Sequence, residues 1–306
     1  MNREFNEEKY LQLIFKGLRA RHDIDFFRYR EGTIKRRLAR RMAATSCDNY
    51  KGYYDFLEKN EKEYARLFKD LTIKVSRFFR NRAVFKILSD KILPDMISAK
   101  KVKNDNTLRI WCAGSSFGEE VYSVAIMLVE YLKKHGKKTE EYNISIFGTD
   151  IDDKALERAK AGVYAAKDVR NINKEILDTY FIFSGAEDTK QLMGFKRFSE
   201  SFDNSNFPSY IIIDLIKNMV NFSRHDLTSE TRMSPPTGIV ANYDLILCRN
   251  LLIYFSRSVQ KRAFSNLYNS LNSGGYLILG KSESIPKDLE PFFIKQNSSH
   301  NVYKKI

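Results

Sequence analysis

Apolar residues in the first 90 or so positions recur at the spacing of an amphipathic helix. Leu11, Ile14 and Leu18 lie three or four residues apart, so their side chains share one helix face. The segment contains no proline, and after Gly32, which breaks the pattern, Thr33 is expected to cap the next helix. Further helices are predicted at residues 33–40, 50–57, 61–71 and 76–93, the last one stopped or kinked by Pro94. The pattern predicts an all-helical domain over residues 1–90.

The pattern changes after a polar, aperiodic segment at residues 100–106. Short apolar runs then alternate with helical periodicity, which predicts an α/β domain with a doubly wound, mostly parallel sheet over residues 91–306. The predicted strands are residues 108–112, 143–148, 243–248 and 275–280, and the predicted helices are residues 119–133, 153–160 and 257–271.

One stretch of the second domain, residues 174–221, does not fit this alternation. It begins with helical spacing, becomes rich in Ser, Asn, Phe and Tyr, and includes a β-branched run at residues 211–213. We predict a small strand-containing insertion at about residues 178–221, with an irregular excursion as the alternative.

Composition is that of a globular protein. Hydrophobic residues make up 43% of the 306 positions and charged residues make up 29%. No run approaches the roughly 18–20 apolar residues that span a bilayer, and the polar start lacks the features of a secretory signal. The three cysteines and four histidines are scattered without ligand spacing, so neither a disulfide framework nor a metal site is expected. We therefore expect a cytoplasmic protein with no membrane insertion.

A net charge of +14 predicts an acidic partner. Charge alone does not distinguish nucleic acid, an anionic membrane face and an acidic protein. Five basic side chains, which we call the basic stretch, crowd one short segment near the N-terminus: Lys35, Arg36, Arg37, Arg40 and Arg41. This basic stretch is a candidate docking surface, and a solvated helix face is the alternative.

Two predicted strand ends carry residues suited to a nucleotide-like ligand. Gly114 and Gly118 lie in the turn after the first strand, where glycine lets the backbone approach a ligand closely. Glycines that only form a tight turn are the alternative, and the Gly-Lys-Ser/Thr of a P-loop is absent. Asp150 ends the second strand, where an acidic side chain can take two ribose hydroxyls. A helix N-cap is the alternative role, although Asp152 or Asp153 could also fill it.

Polar residues also follow the strand predicted at residues 243–248. Arg249 and Asn250 come directly after it, at the edge where such a sheet opens, and Tyr254 lies four residues further on. Taken singly, each of these side chains is also compatible with a surface or packing role.

A fourth segment precedes the predicted α/β domain and reads Ser-Arg-Phe-Phe-Arg at residues 76–80. Its adjacent residues Phe78 and Phe79 are not expected to face one core, so one of them should line a pocket or a seam. Arg80 is a candidate binding residue, with solvated surface as the alternative.

In this order the segments resemble the CheR-type chemotaxis receptor methyltransferases. The resembling segments are residues 76–80, Gly-Glu-Glu-Val-Tyr-Ser at 118–123, Asp-Ile-Asp at 150–152, Gly-Val-Tyr at 162–164, Cys-Arg-Asn-Leu-Leu-Ile-Tyr-Phe at 248–255 and Gly-Lys-Ser-Glu at 280–283. The chain departs from the family pattern at Val121, where proline is usual, at Phe117, where Ser or Thr is usual, and at Lys74, where many relatives carry Asn. Residues 184–213 form a longer segment than the family's small β-subdomain.

The resemblance implies a Rossmann-like domain that binds S-adenosylmethionine and releases S-adenosylhomocysteine. Asp150 would bind the ribose, and Glu119 or Glu120 would lie near the methionine moiety. The expected cofactor-binding residues are Ser76, Arg80, Gly114, Gly118, Glu119, Glu120, Asp150, Asp226, Leu227, Arg249 and Asn250. Asp226 and Leu227 would flank the adenine. Arg80 and Tyr254 are the expected catalytic residues, with Arg80 orienting the substrate carboxylate and Tyr254 acting as a neutral donor.

The resemblance also implies the reaction, which is methyl esterification of glutamate side chains on methyl-accepting chemotaxis receptors for sensory adaptation. A glutamate has an ordinary pKa of about 4.3, so it is already a nucleophilic carboxylate at neutral pH and needs no general base. The receptor signalling domains are acidic helical bundles, along which the basic stretch would dock.

Two other hypotheses remain. A nucleic-acid methyltransferase suits the charge, but base-modifying members of this fold commonly carry Asn/Asp-Pro-Pro-Tyr/Phe where this chain has Cys-Arg-Asn-Leu at residues 248–251. We therefore expect no nucleic-acid partner. A non-catalytic module that binds cofactor or receptor and only regulates would bind S-adenosylmethionine without transferring the methyl group.

Overall fold

The computed structural model describes residues 2–72, 74–185, 208–229 and 242–306. The chain forms two units, the first made of Met1–Lys74 with Leu252–Ala263 and the second of Val75–Leu251 with Phe264–Ile306. No helix within the described ranges is long and apolar enough to cross a membrane.

Four helices build most of the first unit. They are α1 (Asn2–His22), α2 (Glu31–Ala44), α3 (Tyr50–Lys59) and α4 (Glu61–Leu71). The apolar positions spaced at three and four residues in α1 are buried, as their periodicity predicts. The helix predicted at residues 61–71 is confirmed. Thr33 does not cap α2, because the helix already begins at Glu31 and the amide of Thr33 donates to the carbonyl of Arg30.

A buried carboxylate ties three of these helices together. Glu63 on α4 is only 1% exposed. It accepts hydrogen bonds from the guanidinium of Arg41 on α2 at 2.7 Å and from the hydroxyl of Tyr53 on α3 at 3.0 Å. Burying a carboxylate is tolerated when charged and polar donors satisfy it in this way.

A seven-stranded sheet forms the centre of the second unit, in the order β6-β2-β1-β7-β8-β10-β9. The strands are β1 (Thr107–Ala113), β2 (Asn143–Asp150), β6 (Val220–Arg224), β7 (Tyr243–Cys248), β8 (Leu271–Leu279), β9 (Phe293–Lys295) and β10 (Val302–Lys305). The first five strands in this order are parallel, and β10 pairs antiparallel to both β8 and β9. The predicted mostly parallel α/β sheet is confirmed, whereas β6, β9 and β10 were not predicted.

Further helices follow α4 along the chain. They are α5 (Arg82–Ile87), α6 (Leu93–Val102), α7 (Glu119–Lys134), α8 (Asp153–Ala161), α9 (Ala166–Val169), α10 (Lys174–Tyr180), α11 (Asp214–Lys217) and α12 (Arg257–Ser270). Helix α7 is apolar along most of its length and is largely buried, so it forms a large part of the core beside the sheet.

A second, three-stranded antiparallel sheet has the order β3-β5-β4. Its strands are β3 (Val163–Ala165), β4 (Phe181–Ser184) and β5 (Ser209–Ile212). The β-branched run noted in the sequence therefore contributes to a strand, and the small β insertion of the predicted fold is confirmed. Residues 186–207 of the predicted insertion lie outside the described residues.

The helix predicted at residues 76–93 is wrong in its first part. Helix α5 begins only at Arg82, and Phe79 and Asn81 have φ values of +49° and +64°, which interrupt a right-handed helix. A π-helical segment (Leu88–Ile92) then leads into α6. Pro94 does not stop the helical run, because it lies in the first turn of α6, which continues to Val102.

Phe78 is buried in the core and the partly buried Phe79 packs against the same cluster, so the expectation that the two rings would not face one core is wrong. The ring of Phe78 contacts those of Tyr164 and Phe181, with centroids 4.8 and 5.4 Å away. The ring of Phe79 packs on Phe85 at 5.3 Å. Adjacent side chains reach one core here because the left-handed backbone at Phe79 breaks the alternation of an extended chain.

Candidate active site

The carboxyl ends of the parallel strands place the candidate residues along one edge of the sheet. Gly114 and Gly118 follow β1, Asp150 ends β2, Asp226 and Leu227 follow β6, and Arg249 and Asn250 follow β7. Strand β1 lies between β2 and β7, so their loops are neighbours at this edge.

Both glycines of the first loop meet a steric need. Gly114 and Gly118 have φ values of +73° and +90°. A Cβ atom on Gly118 would lie 3.0 Å from the side chains of Ala159 and Phe222. The amides of Gly114 and Ser115 both donate to the carbonyl of Thr149 on β2 at 2.8 Å. The tight-turn interpretation of the glycines therefore holds, and the same turn fixes the loop against β2.

Asp150 holds the first loop from the end of β2. Its Oδ2 accepts the amide of Ser116 at 2.8 Å, and its Oδ1 accepts the amide of Asp152 at 3.1 Å. Asp152 is the residue that caps α8, because its Oδ1 accepts the amides of Lys154 and Ala155. The capping role considered for Asp150 is therefore filled by its neighbour.

The adjacent residues Glu119 and Glu120 have different environments. Glu119 is 3% exposed, its Oε2 has no hydrogen-bond partner among the described residues, and burial raises its pKa to about 7. The Ser76 side chain lowers the pKa of Glu119 and so offsets part of the effect of burial. Glu120 instead accepts a 2.6 Å hydrogen bond from Arg249. Of the two, only Glu119 has an unsatisfied buried oxygen to offer a ligand.

Arg249 links three segments of the site. Its Nη1 donates to Oε2 of Glu120 at 2.6 Å, and its Nη2 donates to the carbonyl of Arg80 at 2.8 Å. The Arg249 and Glu120 side chains are 4% and 14% exposed, so the ion pair is largely shielded from solvent. The guanidinium thus joins the end of β7 to the first turn of α7 and to residues 76–80.

Residues 76–80 are held against the first turns of α7 at a second point. The amide of Phe79 donates to Oγ of Ser123 at 2.9 Å, and that hydroxyl donates to the carbonyl of Glu119 at 2.6 Å. The Arg80 side chain is half-buried and its Nη1 donates to the carbonyl of Val75 at 2.9 Å. Sequence reasoning missed the role of Ser123, although the resembling motif at residues 118–123 includes it.

Asp226 and Leu227 follow β6, which pairs with β2 beside Asp150. The preceding residue, His225, donates its amide to the carbonyl of Asp150 at 3.0 Å. Oδ1 of Asp226 accepts the amide and the hydroxyl of Thr228 at 2.8 and 2.6 Å. Leu227 is buried. The structure therefore brings this pair to the Asp150 side of the sheet edge.

Asn250 and Tyr254 belong to different units. Asn250 has a φ value of +60° and donates its amide to Oε2 of Glu283 at 2.8 Å. Tyr254 lies in the first unit, at the end of a 3₁₀ turn (Leu252–Tyr254), and its carbonyl accepts the amide of Arg30 at 2.8 Å.

Three buried polar atoms in and beside the first loop lack a hydrogen-bond partner within the described part of the chain. Among the described residues, Oγ of Ser115, Oγ of Ser116 and Oε2 of Glu119 are buried and make no hydrogen bond. An unsatisfied buried polar group costs about 1–3 kcal/mol, so a ligand that satisfies all three would be bound favourably. Hydroxyls and a carboxylate suit the amino-acid end of S-adenosylmethionine, and Asp150 suits its ribose.

The sequence of this chain matches models of a known protein family along most of its length. Residues 74–197 and 189–301 match the CheR methyltransferase, SAM binding domain, and residues 9–72 match the CheR methyltransferase, all-alpha domain. The chain belongs to the CheR methyltransferase family. It is accordingly an S-adenosylmethionine-dependent methyltransferase, and the enzyme class and cofactor predicted from the sequence are confirmed.

Relatives of this CheR methyltransferase match it over most of its length. Chemotaxis protein methyltransferase 2 of Vibrio cholerae is 29% identical over 274 residues, 89% of this chain and 84% of that protein. A chemotaxis protein methyltransferase of Vibrio parahaemolyticus is 30% identical over 235 residues, 76% of this chain and 73% of that protein. An uncharacterized 104.1 kDa protein of Rhodobacter capsulatus is 28% identical over 284 residues, and this chain covers only 26% of its length.

The basic stretch on α2 is mostly engaged within the first unit. Lys35 pairs with Glu31 at 2.5 Å, Arg40 with Asp70 at 3.0 Å and Arg41 with the buried Glu63 at 2.7 Å. Arg37 donates to the carbonyl of Asp70 at 2.5 Å, and burial lowers the pKa of its guanidinium. Arg36 is exposed. These five side chains are therefore not equivalent as docking residues.

Proposed function

We propose that this CheR methyltransferase transfers the methyl group of S-adenosylmethionine to glutamate side chains of chemotaxis receptors. The product would be a glutamate methyl ester, which adjusts the receptor during sensory adaptation. The observation that carries this proposal is the family match across both the helical and the cofactor-binding parts, together with relatives called chemotaxis protein methyltransferases over at least three quarters of the chain.

In this proposal some of the site residues hold the cofactor and others orient the substrate. S-adenosylmethionine, when bound, supplies an electrophilic methyl group. Asp150 would accept the ribose hydroxyls, and the pair after β6 would flank the adenine. Glu119 is better suited than Glu120 to pair with the α-ammonium group, because Glu120 already pairs with Arg249.

Substrate orientation falls to Arg80 and Tyr254 in this proposal. A glutamate carboxylate is ionised at neutral pH, so the residues need to align it rather than deprotonate it. Alignment of two reactants contributes about 7–11 kcal/mol in favourable cases. An arginine that bound the carboxylate too tightly would oppose transfer, because the carboxylate loses its charge as the ester forms. We therefore assign Arg80 an orienting role.

Docking on an acidic receptor is the proposed use of the basic stretch. Because Arg41 is committed to Glu63, Arg36 and the partly exposed Lys35 and Arg40 are the side chains best placed to meet receptor carboxylates. Attraction between exposed charges is screened by salt, so receptor binding by this surface would weaken as ionic strength rises.

The experiment that tests the substrate is methyl transfer to receptor signalling domains whose glutamates are replaced one at a time by glutamine. We expect mass spectrometry to find the methyl group on particular glutamates and transfer to each site to disappear with its replacement. Duplex DNA and RNA serve as competing acceptors. Methylation of nucleic acid, or unchanged transfer to receptors that lack those glutamates, would contradict the proposal.

A further inference from the structure

Glu283 has no assigned role in cofactor binding or methyl transfer, yet its carboxylate reaches the loop after β7. The side chain is 5% exposed. A single oxygen, Oε2, accepts the amide of Asn250 at 2.8 Å and the amide of Gly280 at 2.6 Å. Strands β7 and β8 are paired, with Cys248 opposite Leu279, so this oxygen joins the ends of two neighbouring strands.

The turn that carries Glu283 is itself fixed. Nδ2 of Asn301 donates to the carbonyls of Gly280 at 2.9 Å and Glu283 at 2.6 Å. A Cβ atom at residue 280 would lie 2.6 Å from the Glu283 carboxylate and 2.8 Å from the Asn250 amide nitrogen. Glycine at position 280 is therefore required for the carboxylate and the two amides to meet.

The arrangement holds Asn250 in a left-handed conformation. A φ value of +60° is uncommon for residues with a side chain, although asparagine adopts it more readily than most, and such conformations persist where surrounding contacts hold them. A buried carboxylate is likewise costly unless it is hydrogen-bonded, and here two backbone amides satisfy one of its oxygens. Glu283 and Asn250 thus stabilise each other at the sheet edge.

We propose that Glu283 is a positioning residue for S-adenosylmethionine binding that acts through Asn250. Glu283 holds the Asn250 backbone in its left-handed conformation and so fixes the direction in which the Asn250 amide side chain is presented. The inference rests on the proposed assignment of Asn250 to the cofactor site. It does not depend on the methyl acceptor, so binding of S-adenosylhomocysteine without receptor tests it separately from the proposed function.

Two substitutions at one position test the idea. Glu283→Gln keeps an oxygen that can accept both amides, and we expect its dissociation constant for S-adenosylhomocysteine to stay within about threefold of the parent value. Glu283→Ala removes the acceptor and should weaken binding about tenfold or more. If binding is retained with glutamine but lost with alanine, the side-chain oxygen at position 283 positions Asn250. Equal binding by all three proteins would overturn the proposal.

A double-mutant cycle with Asn250→Ala shows whether Glu283 acts through Asn250. The loss caused by Glu283→Ala should largely vanish when Asn250 is already alanine, because the side chain being positioned is gone. Asn301→Ala provides the structural control, since it loosens the same turn and leaves both Glu283–amide bonds possible. Losses that add independently, or binding losses that only follow the fall in Tm across all variants, would overturn the inference.

Discussion

The backbone amide of Ser116 donates a 2.8 Å hydrogen bond to Oδ2 of Asp150 and so joins the loop after β1 to the end of β2. The same loop contains the buried hydroxyls of Ser115 and Ser116, for which the described part of the chain offers no hydrogen-bond partner. The carboxylate that is proposed to bind ribose therefore also shapes the loop proposed to receive the amino-acid end of the cofactor.

This double role of Asp150 predicts a large effect of removing its charge. Asp150→Asn should weaken S-adenosylhomocysteine binding about tenfold or more, because a charge-assisted acceptor for both ribose and loop is replaced by a neutral amide. Isothermal titration calorimetry measures the change. Asp153→Asn is the matched control, since Asp153 is 70% exposed at the start of α8. Comparable losses from the two variants would count against a specific role for Asp150.

Glu119 predicts a pH dependence of cofactor affinity. Burial raises its pKa to about 7 without ligand, whereas an α-ammonium group pairs with the ionised carboxylate. The dissociation constant for S-adenosylhomocysteine should therefore fall as pH rises from about 6 to about 8. Glu119→Gln should bind more weakly and lose this part of the pH dependence. Parallel pH profiles for the two proteins would contradict the assignment of Glu119.

The same pKa has a consequence for the stability of the ligand-free protein. The unfolded carboxyl ionises near its ordinary pKa of 4.5, and the folded one only near 7. Between these values the unfolded chain binds fewer protons, so the contribution of Glu119 to the free energy of unfolding becomes less favourable as pH rises. Relative to the parent protein, the free energy of unfolding of Glu119→Gln should rise by at most about 3 kcal/mol between pH 5 and pH 8. Urea unfolding at both pH values tests this, and a constant difference would be the contrary result.

The shielded pair between Arg249 and Glu120 predicts energetic coupling. Arg249→Lys keeps the charge but cannot donate in the same planar geometry to Glu120 and to the Arg80 carbonyl. We expect it to lower the free energy of unfolding by about 3 kcal/mol or less, and to couple to Glu120→Gln by about 1–3 kcal/mol. Urea unfolding of the two single variants and the double variant measures the coupling. Additive effects would indicate that the pair contributes little.

The proposed orienting role of Arg80 predicts that its charge alone is insufficient. Arg80→Lys should reduce kcat/KM for receptor methylation at least about tenfold, because the planar fork that aligns a carboxylate is lost. Arg77→Lys, at an exposed position in the same segment, is the control and should keep near-normal activity. Retained activity in Arg80→Lys, measured with labelled methyl donor, would remove Arg80 from the catalytic residues.

The docking proposal predicts different effects for neighbouring arginines on α2. Arg36→Glu should raise the KM for receptor about fivefold at low salt and flatten the salt dependence, without changing Tm. Lys59→Glu makes the same charge change at another exposed position of the first unit and should have less effect. Arg41→Ala should instead lower Tm, because it removes the 2.7 Å partner of the buried Glu63 carboxylate and leaves it the longer pair with Arg66 at 3.6 Å. A salt-independent KM in the parent enzyme would rule out this surface.

Periodicity alone was sufficient for the elements with the clearest apolar pattern. Helix α4 and strand β7 have the predicted bounds, because a strongly amphipathic helix and a wholly buried strand each leave a clear apolar pattern. Strand β6 was missed because it lies at the edge of the sheet and buries only Phe222, while its other side chains are partly buried or exposed. Its residues carry no apolar run that distinguishes them from a loop.

Tertiary contacts decide what periodicity could not. A helix was predicted through Phe79 because nothing local signals its positive φ, which is fixed by the hydrogen bond to Ser123 and by ring packing on Phe85. Glu119 and Glu120 are likewise indistinguishable in sequence. Only the approach of Arg249, from 129 residues further along the chain, separates a paired carboxylate from an unsatisfied one.

The central claim is that the methyl group becomes a carboxyl ester on receptor glutamates. The most direct measurement is transfer of labelled methyl from S-adenosylmethionine to receptor signalling domains, followed by mild base. The account predicts that label appears on the receptor and leaves as methanol, since glutamate methyl esters hydrolyse readily in base. Label that survives base would mean methylation of nitrogen or another atom, and cofactor binding with no transfer to any receptor would favour a regulatory module.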